Sequence, residues 1–233
     1  MQQRTLDPRL SLAFDLYDSC ALAADIGTDH AHLPAALLQR GRCQHMILTD
    51  ISESALENAR AEIIRLRLTD RVSLRLGDGL FPVTEACGMV SVMGMGGRTI
   101  RDILLSGQSR LQGASLLLSA HTDWHLIRSA LAWIGYRLDR EEPCFAAGRY
   151  YLVLRARPGA AALTEQEIRL GGPLFRSQSP LLKPFVERRR EVLQERLRGL
   201  CSASAPNEYE ISVLREDLAF YDAFLGQPAA VNR

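Results

Sequence analysis

Four short segments in the first half of the chain carry residue types that suit recognition of a nucleoside. The first is Asp25–His30 (DIGTDH), whose single glycine, Gly27, would permit a tight turn. The second is Asp50, a carboxylate that could accept hydrogen bonds from both hydroxyls of a ribose. In the third, 77–79 (GDG), an aspartate could accept from an adenine amino group, and the fourth, 94–97 (GMGG), would leave room for a planar substrate. Together they predict a nucleoside-binding cleft.

The glycine pattern distinguishes between two classes of nucleoside cofactor. A dinucleotide needs the further glycines of GxGxxG for close approach to its pyrophosphate, and only Gly27 is present in the first segment. S-adenosylmethionine has no pyrophosphate, and nearby carboxylates tolerate its cationic sulfonium. The residues therefore favour S-adenosylmethionine. A lone aspartate at a strand end is commonly a helix cap and a lone GDG a turn, so the prediction rests on all four segments occurring in order.

Alternating strands and helices are needed to bring these segments together. Strands are predicted at 20–26, 45–51, 72–76, 89–93 and 115–119, and helices at 31–40, 54–66, 99–105 and 123–134. Two more strands, 136–142 and 150–157, have no helix between them and predict an antiparallel hairpin. The fold class is therefore α/β, a Rossmann-like class I methyltransferase sheet that is parallel with an antiparallel terminal hairpin, by analogy of fold.

A second region is predicted after the run 158–162 (PGAAA). Apolar residues recur at helical spacing over 182–200 and again over 211–225, with a break at 201–207. This pattern predicts a C-terminal helical hairpin. We therefore expect a methyltransferase domain over 1–160 and a helical, coiled-coil-like appendage over 161–233.

Composition narrows the class of protein further. Hydrophobic residues make up 47% and charged residues 24%, as in a globular chain, and no apolar run is long enough to span a bilayer. The five cysteines never form CxxC, which argues against a zinc ribbon or a disulfide scaffold and fits the cytoplasm. Of the 28 basic residues only Lys183 is a lysine, and arginine suits phosphate, although genome composition is the favoured explanation of this bias.

Several motifs resemble the bacterial tRNA (adenine-22-N1)-methyltransferases of the TrmK type. They are 25–34 (DIGTDHAHLP), 77–80 (GDGL), 94–97 (GMGG) with Ile100, the opening 6–10 (LDPRL) and 172–174 (GPL). The resemblance spans nearly the whole chain and implies transfer of a methyl group from S-adenosylmethionine to N1 of adenine 22 in tRNA. One departure is the segment 119–121 (SAH), where that family commonly carries Gln-Pro-Asn close to the transferred methyl group.

The motif match implies a set of cofactor-binding residues, namely Asp25, Gly27, Thr28, Asp29, His30, Asp50, Ile51, Asp78, Gly79, Gly94 and Met95. The predicted catalytic residues are Asp29 and His30. Adenine N1 carries a free lone pair and needs no general base, so Asp29 would supply a negative field for the cationic product and His30 would orient the reactants. The alternative for Asp29 is a helix cap.

Four arginines, Arg9, Arg98, Arg101 and Arg128, are predicted to contact tRNA phosphates, although any one could be a solvated helix residue. His121 and His125 have a spacing that can bind a metal, but no third ligand is evident, so we predict no metal and assign them as cap and surface residues. We expect tRNA as partner, no membrane, and a monomer or weak homodimer. The alternatives are methylation of another RNA base or a small molecule, or a tRNA-binding module without activity.

Overall fold

The computed structural model describes residues 5–159 and 162–226. It divides into two compact units, Met1–Ser177 and Gln178–Arg233. The elements of the first unit are α1 (Pro8–Leu16), β1 (Cys20–Ile26), α2 (His32–Gln39), β2 (Cys43–Asp50), α3 (Glu53–Arg65), β3 (Val72–Leu76), β4 (Met89–Met95), α4 (Gly97–Ser106), β5 (Ser115–Ala120), α5 (Trp124–Trp133), β6 (Tyr136–Ala146), β7 (Arg149–Pro158) and α6 (Glu165–Leu170). The second unit contains α7 (Leu182–Cys201) and α8 (Glu208–Gly226).

The seven strands form one sheet in the order β3-β2-β1-β4-β5-β7-β6. The first five pair in parallel, whereas β7 runs antiparallel to both β5 and β6. The predicted fold class, a Rossmann-like methyltransferase sheet with C-terminal helices, is therefore confirmed. Strand order reverses between β1 and β4, and in open sheets of this kind ligands bind beyond the carboxyl ends of the strands at that point.

The central strands are apolar because helices cover both faces of the sheet. Leu116, Leu117 and Leu118 on β5 are fully buried although successive side chains point to opposite faces. The helix α1, which the sequence pattern did not indicate, begins at the N-cap Asp7, whose carboxylate accepts from the Leu10 amide at 2.9 Å. It buries Phe14 in the same apolar cluster as α2.

The segment that follows β7 belongs to the first unit rather than to the second. The predicted boundary between residues 160 and 161 lies outside the described residues, but the compact unit continues to Ser177. A buried ion pair explains the difference: Arg128 Nε donates to Glu141 Oε1 at 2.7 Å, and Arg128 Nη1 donates to the carbonyl of Ile168 at 3.1 Å. The Leu174 amide donates to the other carboxylate oxygen of Glu141 at 3.2 Å.

This pair also corrects one sequence prediction. Arg128 is only 1% exposed, so it is not placed to contact a tRNA phosphate. Its guanidinium instead joins α5 to β6 and to the segment that contains α6.

The second unit is a helical hairpin, as predicted. Two ion pairs join α7 to α8: Arg190 with Asp222, and Arg196 with Glu210. Because the earlier residue of α7 pairs with the later residue of α8, the helices run antiparallel. No helix in the described part of the chain is long and apolar enough to cross a membrane.

Candidate active site

A cavity of about 290 Å³ opens at the carboxyl ends of β1 and β4, where the strand order reverses. Its wall includes the predicted site residues Asp25, Gly27, Thr28, Asp29, His30 and Gly94. Arg9 and Leu10 from α1 complete one side. The first and fourth segments singled out in the sequence therefore meet in one cleft.

Asp25 shapes the turn after β1. Its side chain is buried and accepts from two hydroxyls, that of Thr28 on Oδ2 and that of Ser91 on Oδ1. Burial raises the pKa of Asp25 to about 6; the charge of Asp50 adds to the rise, while the two hydrogen bonds oppose it. The next residue but one, Gly27, has φ +77°. This left-handed backbone conformation favours glycine, whereas the nearest atom to a Cβ there would be the movable terminal methyl carbon of Met95.

Asp29 does not cap the following helix, so that alternative is wrong. The N-cap of α2 is Ala31, with φ 50° and no side-chain capping bond. The Asp29 side chain is 60% exposed and accepts from Asn58 Nδ2 on α3 at 3.1 Å. His30 Nε2 lies 3.4 Å from its other oxygen, and the His30 ring stacks on His32 at 5.4 Å. The two predicted catalytic side chains are thus adjacent and open to the cleft.

Asp50 and Asp78 lie along the same edge of the sheet but outside the cavity wall. Asp50 ends β2, and its Oδ1 accepts from the Ser52 amide at 2.8 Å. The Gly77 amide donates to the Asp50 carbonyl at 3.0 Å, which fixes the turn that presents Asp78. Adjacent strands are about 4.8 Å apart, so acids on β1, β2 and after β3 span about 10 Å, a length that suits a nucleoside.

Two further predicted residues border this line of acids. Ile51 is 73% exposed, an apolar side chain left uncovered directly after β2. Gly79 is held in place because its carbonyl accepts from the Thr49 hydroxyl at 3.2 Å. An exposed apolar side chain beside carboxylates suits contact with the face of a base.

The segment 94–97, called the Gly94 loop below, spans the irregular end of β4 and the start of α4. It is held by His121, which was assigned as a cap or surface residue but does not cap α5, whose N-cap is Asp123. His121 follows β5, and its Nε2 lies 2.8 Å from the Gly94 carbonyl oxygen. The His121 amide donates to the Met95 carbonyl at 2.9 Å, and its ring meets Tyr151 edge-on at 5.9 Å. The position of His121 directly after a strand that borders the cleft was the available signal.

In the part of the chain that the structure describes, no three His, Cys, Asp or Glu side chains are arranged to hold a metal.

The remaining predicted phosphate contacts differ in their surroundings. Arg9 lines the cavity, whereas Arg98 is exposed on the first turn of α4. Arg101 lies on the same helix and pairs with its neighbour Asp102 at 2.7 Å. With Arg128 buried, three of the four arginines remain candidates for RNA contact.

The sheet order and the cleft at its switch point define the class of this chain, a Rossmann-like methyltransferase. Residues 6–154 match the family model for the methyltransferase domain, and the chain belongs to that family. A curated tRNA (adenine(22)-N(1))-methyltransferase of Bacillus subtilis (strain 168) is 28% identical over 195 residues, which cover 83% of this chain and 79% of that protein.

Solved structures of similar proteins extend the comparison. One is a Streptococcus pneumoniae protein, assigned as a tRNA (m1A22) methyltransferase and crystallised with S-adenosyl-L-methionine; it is 26% identical, with a TM-score of 0.81 over 93% of this chain and 98% of that chain. The B. subtilis M1A22 tRNA methyltransferase TrmK is 23% identical, with a TM-score of 0.84 over 95% of this chain and 99% of that chain, a likeness of fold.

Proposed function

We propose that this chain is an S-adenosylmethionine-dependent methyltransferase that modifies N1 of adenine 22 in tRNA. The observation that carries the proposal is the row of three carboxylates, Asp25, Asp50 and Asp78, at successive strand ends beside the Gly94 loop. The relatives described above support it, because their fold covers nearly all of this chain and their assigned substrate is that adenine.

The residues present fit the cofactor. Asp50 would accept from the ribose hydroxyls, and Asp78 would accept from the adenine amino group. Ile51 would cover a face of the adenine, since its side chain is otherwise exposed. Gly27, with φ +77°, forms a tight turn whose backbone could approach the methionine portion. When bound, S-adenosylmethionine supplies an electrophilic methyl group on its sulfonium.

The chain's own contribution to catalysis is orientation and charge. The Asp29 carboxylate lies in the cleft wall and would stabilise the positive charge that adenine gains on methylation. His30 contacts Asp29 and stacks on His32, and these two contacts would orient its ring beside the reactants. The Gly94 loop, held by His121, would leave space for the base to enter after it leaves its stack.

RNA binding would rest on local charge, because the net charge is only +1. Arg9, Arg98 and Arg101 are the proposed phosphate contacts near the cleft. A tRNA substrate would support the predicted cytoplasmic location; the prediction of a monomer or weak homodimer stays a prediction.

The test is methylation of unmodified tRNA transcripts with labelled S-adenosylmethionine, followed by mass spectrometry of the nucleosides. We expect one 1-methyladenosine per transcript, lost when adenine 22 is replaced by guanine. Label at another base would show that the methylated nucleotide is not adenine 22. Absence of label in any RNA, together with unimpaired cofactor binding, would contradict the proposal and favour a small-molecule substrate.

A further inference from the structure

The turn between β6 and β7 brings a basic residue to the cleft side of the sheet. Because β7 runs antiparallel to β5, its first residue, Arg149, lies beyond the carboxyl end of β5. Tyr151 lies two residues further along and on the same face of the strand. Arg149 Nε donates to the Tyr151 hydroxyl at 2.5 Å, and the guanidinium carbon lies 5.1 Å from the ring centroid.

A second arginine reaches the same tyrosine from a distant part of the chain. The guanidinium carbon of Arg9, on α1, lies 5.3 Å from the Tyr151 ring centroid. Its Nη1 would be 3.8 Å from a Cβ on Gly94, and Arg9 lines the cavity. Tyr151 is only 5% exposed and its ring contacts His121, which holds the Gly94 loop. Both guanidinium groups are therefore fixed by one buried ring at the rim of the cleft.

The charges of these two arginines are not neutralised within the part of the chain that the structure describes. Neither Arg9 nor Arg149 forms an ion pair with a carboxylate there. By contrast, Arg155 and Arg157, later on β7, each pair with Asp18 and Asp139. Like charges held around one ring repel each other, and an anion bound between or beside them would relieve that repulsion.

We infer that Arg9 and Arg149, positioned by Tyr151, bind a backbone phosphate of the RNA next to the nucleotide whose base enters the cleft. The inference rests on the proposed function. With its Nε engaged by the tyrosine, Arg149 still has terminal N–H groups for phosphate oxygens. The Tyr151 hydroxyl fixes the direction in which the terminal N–H groups of Arg149 point, so Tyr151 is a positioning residue.

The test compares Arg149→Gln and Tyr151→Phe with a matched control, Arg137→Gln. Arg137 is an exposed arginine at the start of β6, at the opposite end of the same hairpin. For Arg149→Gln we expect about tenfold weaker tRNA binding, as for loss of a charge-assisted hydrogen bond. The slope of log affinity against log salt should fall by about 0.7 to 0.9, the contribution of one phosphate contact. Arg137→Gln should match the parent.

Tyr151→Phe keeps the ring and both charges but removes the orienting hydroxyl. We expect a several-fold fall in kcat/KM for tRNA with an unchanged salt slope. Cofactor affinity, measured by calorimetry, should be unchanged in all three variants.

Parental tRNA affinity and salt slope in Arg149→Gln would overturn the inference while leaving methylation by the parent, and so the proposed function, intact. Weakened cofactor affinity in Arg149→Gln with a parental salt slope would assign the two arginines to the carboxylate of the cofactor instead and would also overturn it. If the parent methylates no RNA, the proposed function fails by itself, and the tRNA-binding measurements still decide whether Arg149 contacts phosphate.

Discussion

At the scale of single residues, the buried carboxyl of Asp25 makes stability depend on pH. Its pKa of about 6 in the folded chain lies above the value near 3.9 of an unfolded aspartate, so the folded state holds the proton more tightly. The free energy of unfolding therefore falls by about 2 to 3 kcal/mol as pH rises from about 4 to above 6, because the stabilising proton on Asp25 is lost.

Asp25→Asn tests this dependence because an amide does not ionise. The free energy of unfolding of variant and parent is measured by urea titration at pH 4 and at pH 7. We expect the variant-minus-parent difference to be about 2 kcal/mol larger at pH 7 than at pH 4. Comparison of parent and variant cancels the titration of other acids. A difference between them that is constant with pH would contradict the raised pKa.

Asp50 is the residue whose loss should affect cofactor binding most directly. Asp50→Ala removes the proposed acceptor for the ribose hydroxyls, and charge-assisted hydrogen bonds contribute about 1.5 to 3 kcal/mol each. We expect affinity for S-adenosylmethionine to fall at least tenfold by calorimetry, with an unchanged circular dichroism spectrum. Asp70→Ala, an exposed aspartate just before β3 at the other edge of the sheet, is the matched control. Equal affinities in the two variants would remove Asp50 from the site.

At the scale of elements, the ion pair between Arg128 and Glu141 holds α5, β6 and the segment after β7 together. Glu141→Ala would leave a buried guanidinium without its charge partner, and such a change costs about 3 to 5 kcal/mol. We expect that loss in denaturant titrations. Glu57→Ala is the control, because Glu57 pairs with Arg60 on the surface of α3, where both side chains are more than half exposed. Similar stability of both variants would show that the buried pair is not required.

The elements also show where sequence patterns were sufficient. The bounds of β1 and β3 were predicted correctly because turn residues and apolar spacing mark them locally. The acids at the strand ends could be placed for the same reason. The burial of Arg128 could not, since it depends on Glu141 and on a carbonyl 40 residues away. The contact of His121 with Gly94, 27 residues apart, is likewise a product of the tertiary fold.

At the scale of the whole molecule, the boundary at Ser177 predicts which truncations fold. A chain that ends at Ser177 keeps the complete first unit, so we expect it to fold and to bind S-adenosylmethionine with parental affinity. A chain that ends at Leu163 lacks the Ile168 carbonyl and the Leu174 amide, which form hydrogen bonds with the buried pair of Arg128 and Glu141. We therefore expect it to be destabilised by several kcal/mol.

Thermal unfolding and calorimetry on the two truncated proteins check these expectations. Equal melting temperatures would place the boundary nearer residue 160. tRNA methylation by the Ser177 truncation then measures separately how much α7 and α8 contribute to substrate recognition.

The meeting of Arg9 and Tyr151 also has a consequence for biosynthesis. A ribosome adds about 5 to 20 residues per second, so Arg9 emerges on the order of ten seconds before the strand that carries Tyr151. In addition, β7 inserts between β5 and β6, so the sheet closes only when its last strand is made. The rim of the cleft is therefore assembled late, and a nascent chain still attached to the ribosome has only half of its phosphate-binding pair for most of its synthesis.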